Sequence, residues 1–325
     1  MPDLAYIGQV TNIYPIPEAE RIESLEVYCG KGGRWRGTAQ KAQFALGEGC
    51  EVYLQDALLP QIERFAFLEP RGWRIRMMRL RGVPSECLIM PLTETTQGLE
   101  PGADITELAG VAKYEKPLPA NIGGDIRGRF PGFITKTDEP NFQSVPEMVQ
   151  ALAGKPFYAT LKVDGSSGTV FWDDEGAVRA CSRNFELKER PDTAVWQLVR
   201  KYELAERRLP VALQFEIVGP GIQKNRLGLK EVDLRLFSVW QIGQRRYLDF
   251  ADMRDLAQSL GLPMVDLVET NPSFDLTDDE ALRRYAERTY ASGATAEGVV
   301  IRPLQEIQVN GERLSLKVIN LLYRD

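Results

Sequence analysis

Lys162, Asp164, Glu216, Glu297 and Lys317 each lie within or at the edge of a short apolar run: YATLKVDG, LQFEIV, EGVVIR and LSLKVI. Charged side chains are seldom placed where their neighbours should be buried unless they are paired or bind something. Two lysines, two glutamates, an aspartate and the arginine of Ser182-Arg183-Asn184 together suit a nucleoside triphosphate with its metal ion. A structural cluster of ion pairs is the alternative. Taken alone, Lys162-Val163-Asp164-Gly165 also reads as a β-turn with Asp-Gly at its corner. A free lysine, with a pKa of about 10.4, is protonated at neutral pH. It becomes a nucleophile beside a cation or on desolvation, and Lys317 and a bound Mg²⁺ would supply the positive neighbours.

Composition narrows the chemistry further. The 325 residues contain no histidine. This excludes Ser-His-Asp and Cys-His pairs, His-ligated zinc and histidine general bases. Cys29, Cys50, Cys87 and Cys181 are widely spaced with no C-x-x-C, so neither a zinc ribbon nor a disulfide framework is readable, and a cytoplasmic, reduced setting is expected. The start MPDLAYIGQV lacks the regions of a signal peptide, and no apolar run is long enough to span a membrane.

The length predicts two domains of roughly 100–200 residues each. In the first, LAYIGQVTNIYPI, LEVYCG, CEVYLQ and WRIRMMRLRG are β-prone runs spaced like a small barrel, interrupted by one helix around KAQFALG. Lys116-Pro117-Leu118-Pro119 reads as a semi-rigid linker, which puts the boundary at about residue 120 and gives domains 1–120 and 121–325. The second domain mixes strands with four helices. One is capped by Ser144-Val145-Pro146-Glu147 and closed by Gly154; the others fall over 192–208, over 250–260 before Gly261, and from Thr277 to about Tyr290. Strict βαβ alternation is missing, so the expected class is α+β with antiparallel sheets flanked by helices.

The order and spacing of Lys162-Val163-Asp164-Gly165, Ser182-Arg183-Asn184, Phe215-Glu216-Ile217-Val218-Gly219, Phe237-Ser238-Val239-Trp240, Glu297-Gly298-Val299-Val300-Ile301-Arg302 and Leu316-Lys317-Val318 resemble the motif series of the covalent nucleotidyltransferases, the polynucleotide ligases and capping enzymes. The resemblance covers the second domain from about residue 130 onward. It implies that Lys162 attacks the α-phosphate of ATP, releases pyrophosphate and forms a lysyl–AMP phosphoramidate. It also implies that Asp164, Glu297 and Glu216 hold a Mg²⁺ or Mn²⁺ ion, mainly through water. Leu161, Glu216, Phe237 and Val299 would line the nucleotide, Phe237 stacking on adenine. Lys317 would neutralise the α-phosphate, and Arg183 would contact phosphate or the nucleic-acid end.

The β-rich module comes first and only eight residues follow Lys317, so the OB domain that DNA ligases and capping enzymes carry after the last motif has no room. An N-terminal OB-fold β-barrel followed by an adenylyltransferase domain resembles the Deinococcus/Naegleria-type RNA ligases, which seal 3′-OH/5′-phosphate nicks. A nicked RNA or RNA/DNA duplex is therefore the expected partner, and a monomer the favoured state. A DNA ligase, a capping-type transferase and an inactive RNA-binding relative are the alternatives. Two departures stand out. The last motif reads Lys317-Val318-Ile319, where many relatives have Lys-x-Lys. Thr160, two before the nucleophile, replaces a residue that is often acidic in DNA ligases.

The net charge of −6 is unevenly spread. Residues 249–287 hold ten acids against three arginines, whereas Arg71, Arg74, Arg76, Arg79 and Arg81 cluster around Trp73 with no acid among them. Alternation would put Arg74 with Arg76, and Arg79 with Arg81, on one strand face that tracks phosphates. A solvated barrel face is the plainer reading. Lys224, Arg226 and Lys230 form a weaker second patch, and KTDEPNFQ (136–143) and GPGIQKNRLG (219–228) look like that ligase group without an assigned role.

Overall fold

Alternating apolar and polar residues shape the first unit. Its strands are β1 (Ala5–Pro15), β2 (Ile22–Tyr28), β3 (Arg34–Gln40) and β4 (Gly49–Tyr53), then a hairpin of β5 (Met78–Leu80) and β6 (Val83–Ser85), then β7 (Leu88–Met90). β1 is long enough to pair with both β2 and β4, and the antiparallel sheet has the order β3-β2-β1-β4-β7. A bulge between Val10 and Asn12 bends β1. A bridge between Gly37 and Cys87 brings the two ends of the sheet almost to closure. Tyr6, Leu25, Val27, Trp35, Cys50 and Val52 fill the barrel. This is the five-stranded, partly open barrel expected of an OB fold.

The computed structural model describes residues 3–114 and 126–324. The chain divides into Met1–Lys116 with Gln143–Pro146, and Pro117–Phe142 with Glu147–Asp325. The expected linker and the boundary near residue 120 lie outside the described residues.

The larger unit holds two antiparallel sheets. The seven-stranded sheet has the order β8-β12-β11-β10-β13-β14-β15. Its strands are β8 (Ile126–Arg129), β10 (Ser166–Trp172), β11 (Val178–Cys181), β12 (Phe185–Leu187), β13 (Val211–Val218), β14 (Asp233–Gln241) and β15 (Arg246–Tyr247). The four-stranded sheet has the order β16-β9-β17-β18, with β9 (Phe157–Lys162), β16 (Leu267–Asn271), β17 (Gly298–Pro303) and β18 (Leu316–Ile319). Val163, Asp164 and Gly165 carry the chain from β9 of one sheet directly into β10 of the other. The helices are α1 (Pro146–Leu152), α2 (Ala194–Lys201), α3 (Phe250–Leu260) and α4 (Asp279–Tyr285). The α+β class with antiparallel sheets follows as expected.

Four local expectations change. KAQFALG is a chain of turns in which Ala42 is left-handed and Phe44 is buried in the barrel. Seven residues between strands cannot repay helix nucleation. The helix expected over 192–208 stops at Lys201, because Glu203 takes a left-handed conformation before a short 3₁₀ turn. α4 is capped by Asp278, whose carboxylate accepts from the Ala281 amide, and it ends at Tyr285. In WRIRMMRLRG only Met78–Leu80 is strand, because residues 73 and 75 hydrogen-bond to Leu59, Asp56 and Ala57 instead.

One buried arginine, held in an ion pair, joins the two sheets. Arg302 on β17 is 2% exposed; it pairs with Glu139 and donates to Ser315 Oγ, just before β18, and to the Phe237 carbonyl on β14. Burial alone would raise the Glu139 carboxyl, but the Arg302 and Arg313 guanidiniums hold it below the usual range. Arg302→Met leaves that carboxylate buried without its partner and is expected to destabilise the protein by about 3–5 kcal/mol. Adding Glu139→Gln should restore much of the loss. Urea denaturation of the single and double variants checks both outcomes.

Candidate active site

Lys162 is the last residue of β9 and pairs across the ladder with Gly298, the first of β17. Glu297 therefore sits opposite the lysine, and Lys162 Nζ lies 2.6 Å from Glu297 Oε1. Gly298 is required at this point: it has φ +151°, and a Cβ would fall 2.1 Å from the Val318 carbonyl. Two further contacts hold the pair. The Tyr290 hydroxyl donates to the Lys162 carbonyl at 2.7 Å and accepts from the Glu297 amide at 3.2 Å.

Register decides which side chains share the lysine's face. Thr160, Val300 and Lys317 occupy one row of the ladder, two residues along β9 from Lys162. Side chains alternate along a strand, so Lys317 projects from the same face as Lys162. Leu161, Val299 and Val318 form the row between them and project from the opposite face, where Val299 and Val318 are fully buried. The expectation that Leu161 and Val299 line the nucleotide is corrected for their side chains, and only their backbone remains on the lysine's side of the ladder.

The short turn after Lys162 brings the carboxylates near. Gly165 packs so tightly on β13 that a Cβ would lie 2.3 Å from the Ile217 carbonyl and 2.7 Å from Glu216 Cγ. That approach sets Asp164 beside Glu216. The Asp164 carboxylate accepts from the Tyr323 hydroxyl at 2.6 Å. On β14, Gln214 pairs with Ser238 and Phe215 with Leu236, so Phe237 is the extra residue of a bulge. Bulges re-aim a side chain, and this one leaves the Phe237 ring half-buried while Arg302 takes its carbonyl at 2.7 Å. Arg183 lies on the β11–β12 turn, about half exposed, and pairs with Asp138 at 3.0 Å. Lys136 bonds Asn184 at 2.8 Å, so the segment 136–139 braces both this turn and Arg302.

The electrostatics follow from crowding. Burial alone would lower the Lys162 pKa, but Glu297, then Glu216 and Asp164, hold its ammonium well above the ordinary range. Burial pushes the Glu216 carboxyl up to about 8, with Lys162 opposing and Glu297 and Asp164 reinforcing. Lys162 is thus protonated and paired in the free protein. Among the described residues no three carboxylates approach closely enough to cage a bare ion. A divalent ion such as Mg²⁺, which keeps most of its waters, fits this spread set of Asp164, Glu216 and Glu297 and would relieve the charge that raises Glu216.

Arg302 ends one of the motifs and Glu139 lies in KTDEPNFQ, but neither had an assigned role; Tyr290 and Tyr323 lie in no motif, and the folded contacts reveal what all four do. The arginine strip of the first unit is altered. Arg74 is 7% exposed, paired with Asp56 and stacked 4.0 Å over the Tyr114 ring, so its expected phosphate contact is corrected. Arg76 and Arg81 are exposed; Arg79 is half-buried and bonds the Gly82 carbonyl across the hairpin turn. Arg81 has φ +48°, which breaks the alternation expected with Arg79.

The RNA ligase family model matches residues 155–319, and an OB-fold domain model matches residues 4–92. None of the curated proteins compared with the chain matches it. Solved structures of the Naegleria gruberi RNA ligase do, at 29% identity. One with PPi gives a TM-score of 0.83 over 99% of this chain and 98% of that one. A point mutant with ATP and Mn gives 0.84 over 98% of each, and another with AMP and Mn gives 0.84 over 99% and 98%.

The crowded carboxylates generate a pH signature. The folded Glu216 pKa lies above the free value of about 4.3. Its contribution to stability is intact below that value and is lost as pH rises through about 8. In chelator, Glu216→Gln should gain stability over the parent increasingly across this window, as read by urea denaturation at several pH values. An advantage that does not grow with pH would contradict the assignment.

Proposed function

We propose that this chain, which belongs to the RNA ligase family, seals 3′-OH/5′-phosphate nicks in RNA or RNA/DNA duplexes as a monomeric, cytoplasmic enzyme. It is an ATP-dependent RNA ligase. The observation that carries the reading is the Lys162–Glu297 pair set beside Asp164 and Glu216 at the turn that joins the two sheets. Four buried free cysteines favour a reducing compartment, and no helix among the described residues is long and apolar enough to cross a membrane.

In the first step Lys162 Nζ, having given up a proton to solvent water, attacks the α-phosphorus of ATP. A P–N bond forms, the P–O bond to the β-phosphate breaks, and pyrophosphate leaves. Asp164, Glu297 and Glu216 would hold the divalent ion, which supplies positive charge at the phosphates. Glu297, if it held that ion, would no longer pair with Lys162. Lys317, on the same sheet face, neutralises charge developing on the α-phosphate, a type of interaction worth several kcal/mol. Phe237, re-aimed by its bulge, stacks on the base. The 5′-phosphate of the nick then takes AMP from Lys162, and the 3′-OH displaces AMP to form the phosphodiester. Arg183 engages the RNA end, and Arg76, Arg79 and Arg81 of the OB fold follow its backbone. Phosphate contacts of this kind give binding that weakens with salt.

Incubation with α-labelled ATP and Mg²⁺ is expected to give a covalent AMP adduct, absent in Lys162→Ala and reduced by about 10²–10³ in Lys317→Ala. A panel of nicks should show sealing where RNA supplies the 3′-OH. An adduct that survives Lys162→Ala would overturn the nucleophile. Labelling by GTP would point to a capping-type transferase, equal sealing of an all-DNA nick to a DNA ligase, and RNA binding without any adduct to an inactive relative.

A further inference from the structure

Residues 219–228, GPGIQKNRLG, follow directly on the strand that carries Glu216 and have no part in the steps above. Two of them, Gln223 and Asn225, have φ of +48° and +44°. Non-glycine residues in this region are uncommon, and such conformations persist only where the surroundings hold them, often at functional sites. Asn225 fastens the loop to itself: its side-chain amide donates to the Leu229 carbonyl at 2.9 Å and its side-chain oxygen accepts from the Leu229 amide at 3.1 Å. Ser292 Oγ adds an anchor by donating to the Arg226 carbonyl.

Two side chains from this braced loop reach the turn beside the nucleophile. Gln223 Nε2 donates to the Gly165 carbonyl at 3.0 Å. Arg226 stacks over Tyr323, its guanidinium carbon 4.4 Å from the ring centroid, and donates to the Arg324 carbonyl. Tyr323, only 8% exposed, donates in turn to Asp164 Oδ2 at 2.6 Å. The expected basic patch is altered accordingly, because Arg226 is folded onto Tyr323.

We infer that Gln223, Arg226 and Tyr323 are positioning residues that grip the Asp164–Gly165 turn from two sides, Gln223 by its backbone and Tyr323 by its carboxylate. The grip ties that turn to the continuation of β13, so that Asp164 and Glu216 are held as one unit. A carboxylate anchored through one oxygen keeps its rotamer. Partners that orient a metal-holding group in this way typically set metal affinity by 10–100-fold when removed. Tyr323→Phe deletes only the hydroxyl and keeps the ring on which Arg226 stacks, so it separates orientation from packing.

The inference rests on the lysyl–adenylate reading only in its metal assay. Two measurements test it. In ligand-free protein, amide hydrogen exchange over residues 161–168 should rise severalfold in Tyr323→Phe and in Gln223→Ala, with the melting temperature within about 2 °C of the parent. In adenylylation, the Mn²⁺ concentration for half-maximal rate should rise about tenfold in each variant while the plateau rate changes far less. Their effects on that concentration should be less than additive in the double variant, because both act on one turn. Unchanged exchange at 161–168 overturns the inference whether or not an adduct forms. So does a loss of plateau rate in step with a fall in melting temperature, which would mark a purely structural role. Absence of any adduct in the parent would sink the adenylate reading and leave the exchange result to decide this one.

Discussion

The ion pair between Lys162 and Glu297 sets the conditions that the larger unit satisfies. Lys162 lies 2.6 Å from a carboxylate with Glu216 and Asp164 close behind. Those charges stabilise its ammonium. Burial pushes the Glu216 carboxyl up to about 8, and Glu297 and Asp164 reinforce the rise. A cation seated among these carboxylates would compete with Lys162 for Glu297.

Holding such a cluster requires a frame that does not relax around it. Two glycines permit the close approaches, Gly165 against the Ile217 carbonyl and Gly298 against the Val318 carbonyl. Arg302, held by Glu139, fastens the two sheets through the carbonyl of the bulged Phe237. A buried ion pair contributes little net stability, because desolvation offsets most of its attraction. Its value here lies in geometry. It sets Phe237 relative to the sheet that carries Lys162.

The OB-fold unit has a different distribution of charge. Its arginines are concentrated in a hairpin region, while the acids of 249–287 belong to the other unit, so a net charge of −6 is compatible with a phosphate-binding surface. The stretch before the hairpin exposes Arg76 and turns Arg74 inward to Asp56 and Tyr114, and the hairpin turn exposes Arg81. Nearby arginines of one sequence cluster thus serve two purposes, packing and surface charge.

Strand-borne charges in apolar runs were legible because burying a charge is costly enough to demand a reason, and the absence of histidine left few reactions open. Lys162, Asp164, Glu216, Glu297 and Lys317 could therefore be named as a set, together with the α+β class and a leading OB barrel. α3 was equally legible, since Gly261 ends it in a left-handed cap. Other features depend on contacts between residues far apart in the chain. Tyr323 meets Asp164 across 159 positions, and Glu139 meets Arg302 across 163. Ladder register turned the Leu161 and Val299 side chains away from the lysine's face, and a competing pairing with residues 56–59 took Arg74 out of the expected strip. The sequence by itself determined which chemical groups are available and which local periods they ride on. Tertiary structure decided which groups face one another, because register, bulges and long-range hydrogen bonds are settled only when distant strands pack.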